Sequence, residues 1–513
     1  MRRFHYFLRG RLFPCALLFL LIVAGIAALA IWLPRLLAPV AILERAFSLS
    51  VAIAVIAADE PCETKIAKLT LLFLPWMGAA LCIFFRAPAR RSAPSVFFEE
   101  GKQEAFHSSG SPDFGHGALI KRVAALSKRL SGLFFAHADS VQYFPVGHEM
   151  YARFRCDLKA AKHRIFLEYY IIAQGSFWGD ILEILTEKAK AGVDVRVIYD
   201  DFGCSFTLPE DYCNELKRRN VKAAIYRPVK VGRGFGRRDH RKLAVIDGVA
   251  YTGGINLADE YVGKLLRFGH WKDSAIRLEG DVSAFSKLFL QTWYALNPFE
   301  KTSLGDFHVS LPKEQSARAS EIASLRHEFL SSTQASTVPY VPVADWANAA
   351  QRTFPKLLPL VAAHARSRLW MFTPYLSLPR EAEEALRSAA LSGVDVRIMI
   401  PHVPDKKTVF FLTRAYARRL ERAGVRIREY APGFLHAKSF SVDGQYAFVS
   451  SYNLDFRSLF VQAECGAFFE SKELAEMLER DFESAWRQGM PVKRVGKFQE
   501  FVSHACMLFA PLT

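Results

Sequence analysis

Two copies of one short pattern constrain this chain more than any other feature. His240-x-Lys242-x4-Asp247 recurs as His436-x-Lys438-x4-Asp443. Each copy runs into a turn of small residues and an asparagine, Gly253-Gly254-Ile255-Asn256 in one and Ser450-Ser451-Tyr452-Asn453 in the other. The surroundings repeat in the same order. Gly192 to Arg196 returns as Gly393 to Arg397, Val221 to Tyr226 as Val425 to Tyr430, and each half closes on an aromatic-rich stretch, Phe285 to Trp293 and Phe482 to Trp486. One cleft assembled from two halves is the expected result.

Strand and helix signals alternate within both halves. Arg164 to Ile172 and Val193 to Tyr199 are apolar and rich in β-branched or aromatic residues, as buried strands require. Between them Trp178, Ile181, Leu182 and Leu185 recur at helical spacing. The second half repeats this with Leu369 to Tyr375, a helix through Glu381 to Ala390, and Val394 to Ile400. The expected fold is α/β, with two repeats related by a pseudo-two-fold, each with its own mixed β-sheet flanked by helices. Trp178, Trp293, Trp370 and Trp486 read as core packing.

His240 to Val245 reads as a strand, in which side chains two residues apart share a face. His240 and Lys242 then point into one cleft, and His436 and Lys438 enter it from the other half. Neutral imidazole can attack phosphorus, imidazolium can protonate a departing alkoxide, and cations can hold the non-bridging oxygens. An ordinary histidine pKa near ~6.5 allows either role, and assigned roles require the two environments to push those pKa values apart. The lysines are expected to clamp phosphate oxygens with Asn256, Asn453 and Ser451. Asp247 and Asp443, an odd number of residues from their histidines, are expected on the opposite strand face, ordering the motif. Asp273 and Glu464 are candidate carboxylates that orient the histidines. A lysine stands where a metal would sit and no helical His-x-x-x-His occurs, so neither a metal nor a cofactor is expected.

The N-terminus bounds the substrate. Leu12 to Leu33 is uncharged and long enough for a bilayer, which takes about 20 residues; Leu69 to Phe85 is a second uncharged run. Leu36 to Ala58 between them is interrupted by Glu44-Arg45, and an interfacial or re-entrant course, or packing against the two spans, is expected. Arg2, Arg3, Arg9 and Arg11 precede this region and Arg86, Arg90 and Arg91 follow it. The positive-inside tendency then favours two crossings with both flanks cytoplasmic. The 513-residue chain carries a net charge of +16, which suits either anionic lipid or nucleic acid; the apolar runs favour lipid. No Cys-x-x-Cys occurs among the eight cysteines, which read as free thiols.

The paired motifs resemble the HKD signature of the phospholipase D superfamily. Leu167 to Ile172, Tyr199 to Gly203, His240 to Gly248, Thr252 to Asn256, Gly433 to Lys438 and Asn453 to Leu459 are similar to bacterial cardiolipin synthases. Two places depart from that pattern: Ser450 stands where the second turn often has Gly, and Val341 to Trp346 lacks a Gly-Pro-Asp turn. The resemblance implies His240, Lys242, Asp247, His436, Lys438 and Asp443 as the catalytic set, with His240 the nucleophile and His436 the acid and base. It implies a multi-pass enzyme of the bacterial inner (cytoplasmic) membrane that condenses two phosphatidylglycerols to cardiolipin and glycerol through a phosphohistidine. The partners expected are phosphatidylglycerol and anionic membrane lipid, not nucleic acid; oligomeric state stays open. A hydrolase, or a transphosphatidylase with another donor or acceptor lipid, shares the same chemistry. The domains expected are a membrane anchor over 1–91, a linker over 92–134, phospholipase D-like domains over 135–300 and 338–513, and a linker over 301–337.

Overall fold

The structure is a computed structural model. It describes residues 20–28, 37–57 and most of 116–493, except 229–236, 299, 301–336, 348 and 350, with a few isolated positions near each end. The first repeat supplies β1 (Ala136–Phe144), β2 (Arg164–Tyr169), β3 (Asp194–Asp200), β4 (Lys222–Tyr226), β5 (Lys242–Ile246), β6 (Val249–Gly253), β7 (His270–Lys272) and β8 (Ala275–Gly280). The second supplies β9 (Val338–Asp345), β10 (Arg368–Phe372), β11 (Asp395–Pro401), β12 (Arg426–Tyr430), β13 (Gly433–Leu435), β14 (Ser439–Val442), β15 (Tyr446–Ser450), β16 (Glu464–Glu470) and β17 (Gly489–Pro491).

Both repeats wind identically. From the centre outward the first runs β1-β8-β6-β5-β2-β3-β4 and the second β9-β16-β15-β14-β10-β11-β12, with β17 at the far edge. β2, β3 and β4 are parallel, as are β10, β11 and β12, and the inner strands are antiparallel. The expectation of a separate sheet for each repeat is corrected here. β1 pairs antiparallel with β9, Ala136 opposite Tyr340, and fuses both into one 15-stranded sheet. Val341 to Trp346, the stretch without a Gly-Pro-Asp turn, lies in and just after that joining strand. An inner edge left open would expose unpaired backbone groups, and pairing the two edges removes that liability.

The closing aromatic helices pack on the sheet. Ser283–Leu296 buries Phe285, Phe289 and Trp293, and Lys472–Arg487 buries Leu474, Leu478 and Phe482. Of the four tryptophans read as core, Trp178 and Trp293 are fully buried, while Trp370 and Trp486 lie at the core's edge, with Arg397 against both rings. The expected 92–134 linker needs correction. Ala118–Ser131 within it is a helix whose Leu119, Ile120 and Val123 are fully buried in the second repeat's core beside Val341 and Phe354.

Near the N-terminus, the segment interrupted by Glu44-Arg45 forms one 21-residue helix, Leu37–Ala57. Glu44 is buried and accepts a hydrogen bond from Ser48. Among the described residues no helix is long and apolar enough to cross a membrane. The two proposed spans, Leu12 to Leu33 and Leu69 to Phe85, lie largely outside the described residues. Cys156, Cys204, Cys213 and Cys465 are free thiols.

Candidate active site

Two short crossings between the repeats build the site. In one, β7 of the first repeat pairs in parallel with β13 of the second, Trp271 opposite Phe434. The backbone N–H of His436 then donates to the carbonyl of Lys272 at 2.6 Å. Each strand delivers one residue to the cleft: β7 leads into Asp273 and β13 into His436. Gly433 makes this approach possible, because a Cβ there would lie 2.3 Å from the carbonyl oxygen of His270. In the other crossing, Asp239 bridges Ala463, and the N–H of His240 donates to the carbonyl of Ala463 at 2.9 Å. That crossing delivers His240 and Glu464.

The carboxylates therefore serve the opposite repeat. Nδ1 of His240 lies 2.9 Å from Oε1 of Glu464, and Nδ1 of His436 lies 2.6 Å from Oδ2 of Asp273. A carboxylate on Nδ1 fixes the ring's orientation and turns Nε2 toward the substrate side. Lys242 and Lys438 each donate from Nζ to the carbonyl of the histidine two residues before. Both histidines, both lysines and both carboxylates are buried.

The strand-parity expectation needs correction, although each His–Lys pair is buried at the cleft: β14 begins at Ser439, so both His436 and Lys438 precede it. β5 begins at Lys242, so His240 precedes the strand. Arg241 points away from the cleft, donating to Glu168 at 3.0 Å and to the carbonyl of Asp345 at 3.1 Å, in a fully buried ion pair. Asp247 and Asp443 are not on an opposite strand face; they lie past the strand ends, with φ of 48° and 54°. Their carboxylates accept backbone N–H groups from Lys162, His163 and Arg164, and from Arg366, Ser367 and Arg368. They tie the turn after the motif strand to the start of β2 and of β10, and contact neither histidine.

The expected phosphate clamp also changes. Asn256 is engaged by the fold, accepting from the N–H of Ile171 at 3.0 Å and donating to the hydroxyl of Tyr261 at 2.7 Å. Oδ1 of Asn453 is buried with no hydrogen-bond partner among the described residues. Ser451, anticipated as a substrate contact, donates its hydroxyl to Oε2 of Glu464 at 2.5 Å. Ser458, not anticipated, donates to Oε1 of the same carboxylate at 2.6 Å. Gly254 occupies the equivalent turn position in the first repeat, where a Cβ would lie 2.0 Å from Oδ1 of Asp273. The same turn thus makes room for one carboxylate and hydrogen-bonds the other.

Burial and crowded cations set the charge states. Burial, then Lys242, Lys438, Lys406 and Arg457, hold His240 well below its ordinary pKa. Burial and Lys438 bring His436 down to about 4 against an upward pull from Asp273. Both imidazoles are thus displaced downward. Burial lowers Lys242 to about 7 and Lys438 to about 8. Burial raises Glu464 to about 8 despite Lys242 and the two serine hydroxyls.

Aromatic rings wall the cleft. Tyr170 meets His240 edge-on at 4.8 Å, while Tyr261, Trp271 and Phe434 surround His436 at 5.5 to 5.7 Å. None of these rings stands out in the sequence alone. Their signal was adjacency, since each lies within a few residues of a motif or a carboxylate. Among the described residues no cluster of three or more His, Cys, Asp or Glu side chains could hold a metal ion.

The model of the cardiolipin synthase phospholipase D-like domain matches this chain twice, over residues 154–266 and 361–486. Cardiolipin synthase 2 of Bacillus anthracis is 35% identical over 372 residues, covering 72% of this chain and 68% of its own. The chain belongs to the phospholipase D-like cardiolipin synthase family. An uncharacterized protein of Streptococcus mutans serotype c is 38% identical over 367 residues, covering 71% of this chain and 75% of its own. The crystal structure of phosphatidylserine synthase from Haemophilus influenzae superposes with a TM-score of 0.56 at 16% identity, covering 76% of this chain and 97% of that one. At that identity the likeness speaks for the fold alone: two phospholipase D-like repeats.

Proposed function

We propose that this protein is a cardiolipin synthase, moving a phosphatidyl group between two phosphatidylglycerol molecules. The observation that carries the chemistry is the crossed pairing of His240 with Glu464 and His436 with Asp273 beside Lys242 and Lys438. In the first step Nε2 of His240 attacks phosphorus and the P–O bond to the glycerol headgroup breaks. The departing oxygen takes the proton from Nε2 of His436. In the second step His436 takes the proton from a hydroxyl of the second phosphatidylglycerol. That oxygen attacks phosphorus and the P–N bond breaks, releasing cardiolipin and restoring His240. Two displacements retain configuration at phosphorus.

The surroundings favour this order of roles. All the charged groups acting most strongly on His240 disfavour imidazolium, which keeps the nucleophile neutral. Asp273 favours imidazolium at His436, and a bound phosphodiester adds negative charge in the same sense. Lys242 and Lys438 gain the same support and hold the non-bridging oxygens. Asn453 supplies an amide to the clamp, and Asp247 and Asp443 hold the scaffold beneath it.

The anchor belongs to the same reading. Leu12 to Leu33 and Leu69 to Phe85 cross the inner membrane twice, with the basic flanks and the catalytic repeats (135–300 and 338–513) on the cytoplasmic side. Their length, lack of charge and flanking arginines support it. Purified full-length protein mixed with phosphatidylglycerol in detergent micelles, without divalent ions, is expected to yield cardiolipin and glycerol by mass spectrometry. Phosphatidic acid alone would instead make the enzyme a hydrolase. Reporter fusions at Gln103 and after Thr513 are expected to read cytoplasmic, and an external signal from either refutes the two-span topology.

A further inference from the structure

The repeats differ most between the cleft asparagine and the cleft carboxylate. The stretch from Asn256 to Asp273 is six residues longer than that from Asn453 to Glu464. In the second repeat the apolar residues of this stretch are packed away: Phe456–Phe460 is a short helix with Phe456 and Leu459 buried. In the first repeat the extra residues form a loop after the 3-10 turn Asp259–Val262, and its tip is apolar and outward. Leu265 is 51% exposed and Leu266 74%. Lys264 and Arg267 bracket them. Phe206, just after the short helix Asp201–Cys204 that follows β3, is a further exposed apolar side chain at 53%.

This tip is joined to the catalytic centre. Phe268 lies 6.1 Å from both Trp271 and Phe434, those two rings are 4.9 Å apart, and each lies within 5.7 Å of His436. An apolar path therefore runs from the exposed leucines to the imidazole. Adjacent exposed leucines are unfavourable in water unless something apolar receives them. Arg267 beside them suits a surface that is anionic at headgroup level and apolar just below it, while Lys264 is paired with Asp180 at 3.6 Å.

We propose that the Lys264–Phe268 loop is the docking element that seats the cleft on an anionic lipid bilayer, with Leu265 and Leu266 inserted among the acyl chains. The Phe268–Trp271–Phe434 wall then covers the apolar part of a lipid as its headgroup slides to His240 and His436. This rests on a bilayer lipid being the substrate, and it assigns a task distinct from anchoring: it orients the cleft mouth toward the membrane.

Two measurements on the full-length protein test it. In the first, Leu265→Ser/Leu266→Ser is assayed on phosphatidylglycerol vesicles and on monomeric dihexanoyl phosphatidylglycerol. The expected result is a rise of at least about tenfold in the apparent KM on vesicles, the low end for withdrawing a single leucine side chain from an apolar phase. Turnover of the monomeric lipid should be unchanged, and Leu265→Phe/Leu266→Phe should restore the vesicle KM. Equal loss on both substrates, or no loss on either, overturns the docking role. The second measurement needs no turnover. The emission added by Leu266→Trp is expected to be quenched by brominated phosphatidylglycerol in vesicles. Quenching by aqueous acrylamide alone refutes insertion, even if the transfer reaction is confirmed. Quenching by bromolipid with no transfer leaves docking standing and overturns the reaction instead.

Discussion

The two half-sites share a motif and differ in almost everything around it. His240 sits opposite a glutamate held by two serine hydroxyls, Ser451 and Ser458, with four cations acting on the ring. His436 sits opposite an aspartate, inside a cage of Tyr261, Trp271 and Phe434. Beneath His240, Arg241 pairs with buried Glu168; the corresponding residue beside His436 is Ala437. A two-fold arrangement of identical chemistry would give two equivalent imidazoles. A double displacement needs inequivalent ones, and the neighbours, not the motif, supply the inequality.

The comparison breaks most sharply if the histidines are exchanged in role. His240→Ala is expected to lower turnover by at least about four orders of magnitude, the scale on which catalytic groups acting as a unit fail, and to abolish acid-labile phosphoenzyme. His436→Ala should lose transfer from phosphatidylglycerol yet still form phosphoenzyme with a p-nitrophenyl phosphodiester, whose leaving group needs no proton. Rapid-quench labelling distinguishes them, and phosphoenzyme in His240→Ala alone would reverse the assignment.

Removing the carboxylates comes next. Asp273→Asn and Glu464→Gln should each cost about 10–100-fold in kcat, as losses of orienting partners do. Their pH profiles should differ. Asp273 raises the His436 pKa, so its loss lowers that pKa and moves the alkaline limb of kcat to lower pH. Glu464→Gln should leave that limb in place. Identical shifts in both variants would remove the distinction between the half-sites.

The lysines give a smaller, shared effect. Their folded values, about 7 for Lys242 and about 8 for Lys438, lie below the ordinary lysine pKa. The ammonium charge is therefore present below these values and lost as pH rises through them. The KM for phosphatidylglycerol should climb between about pH 7 and 9, buffered by the upward pull of the bound phosphate. A flat KM over that range would show that the lysines do not hold the diester.

The smallest effect on catalysis belongs to the motif aspartates. Asp443→Asn weakens a carboxylate that accepts three backbone N–H groups and contacts neither imidazole. About 1–3 kcal/mol of stability should be lost, read by denaturant unfolding, with kcat changed only a few-fold. A collapse in kcat without a loss of stability would return Asp443 to the catalytic set.

Much of this was legible in the chain. Alternating apolar stretches announced the strands and helices of each repeat because burial on both faces leaves a continuous apolar run. The spacing His-x-Lys kept each histidine close to its lysine, and Asp273 and Glu464 stood out as the carboxylates following each asparagine. What stayed hidden depends on contacts between residues far apart in sequence. No local pattern says that Glu464 faces His240 and not His436, because β7–β13 and Asp239–Ala463 are long-range pairings. Nor could spacing show that Ser451 and Ser458 are engaged by Glu464, or that Asn256 is held by Ile171 and Tyr261.

The chain by itself thus determined the repeat, the reactive residue types and the closeness of each histidine to its lysine, since these follow from spacing and side-chain chemistry. Tertiary structure alone decided the crossed histidine–carboxylate pairs, the fused sheet, the common downward displacement of both imidazoles and the exposed Leu265-Leu266 tip. The physical reason is that burial and electrostatics are properties of the assembled surroundings: an imidazole's charge is set by whichever groups the fold brings beside it.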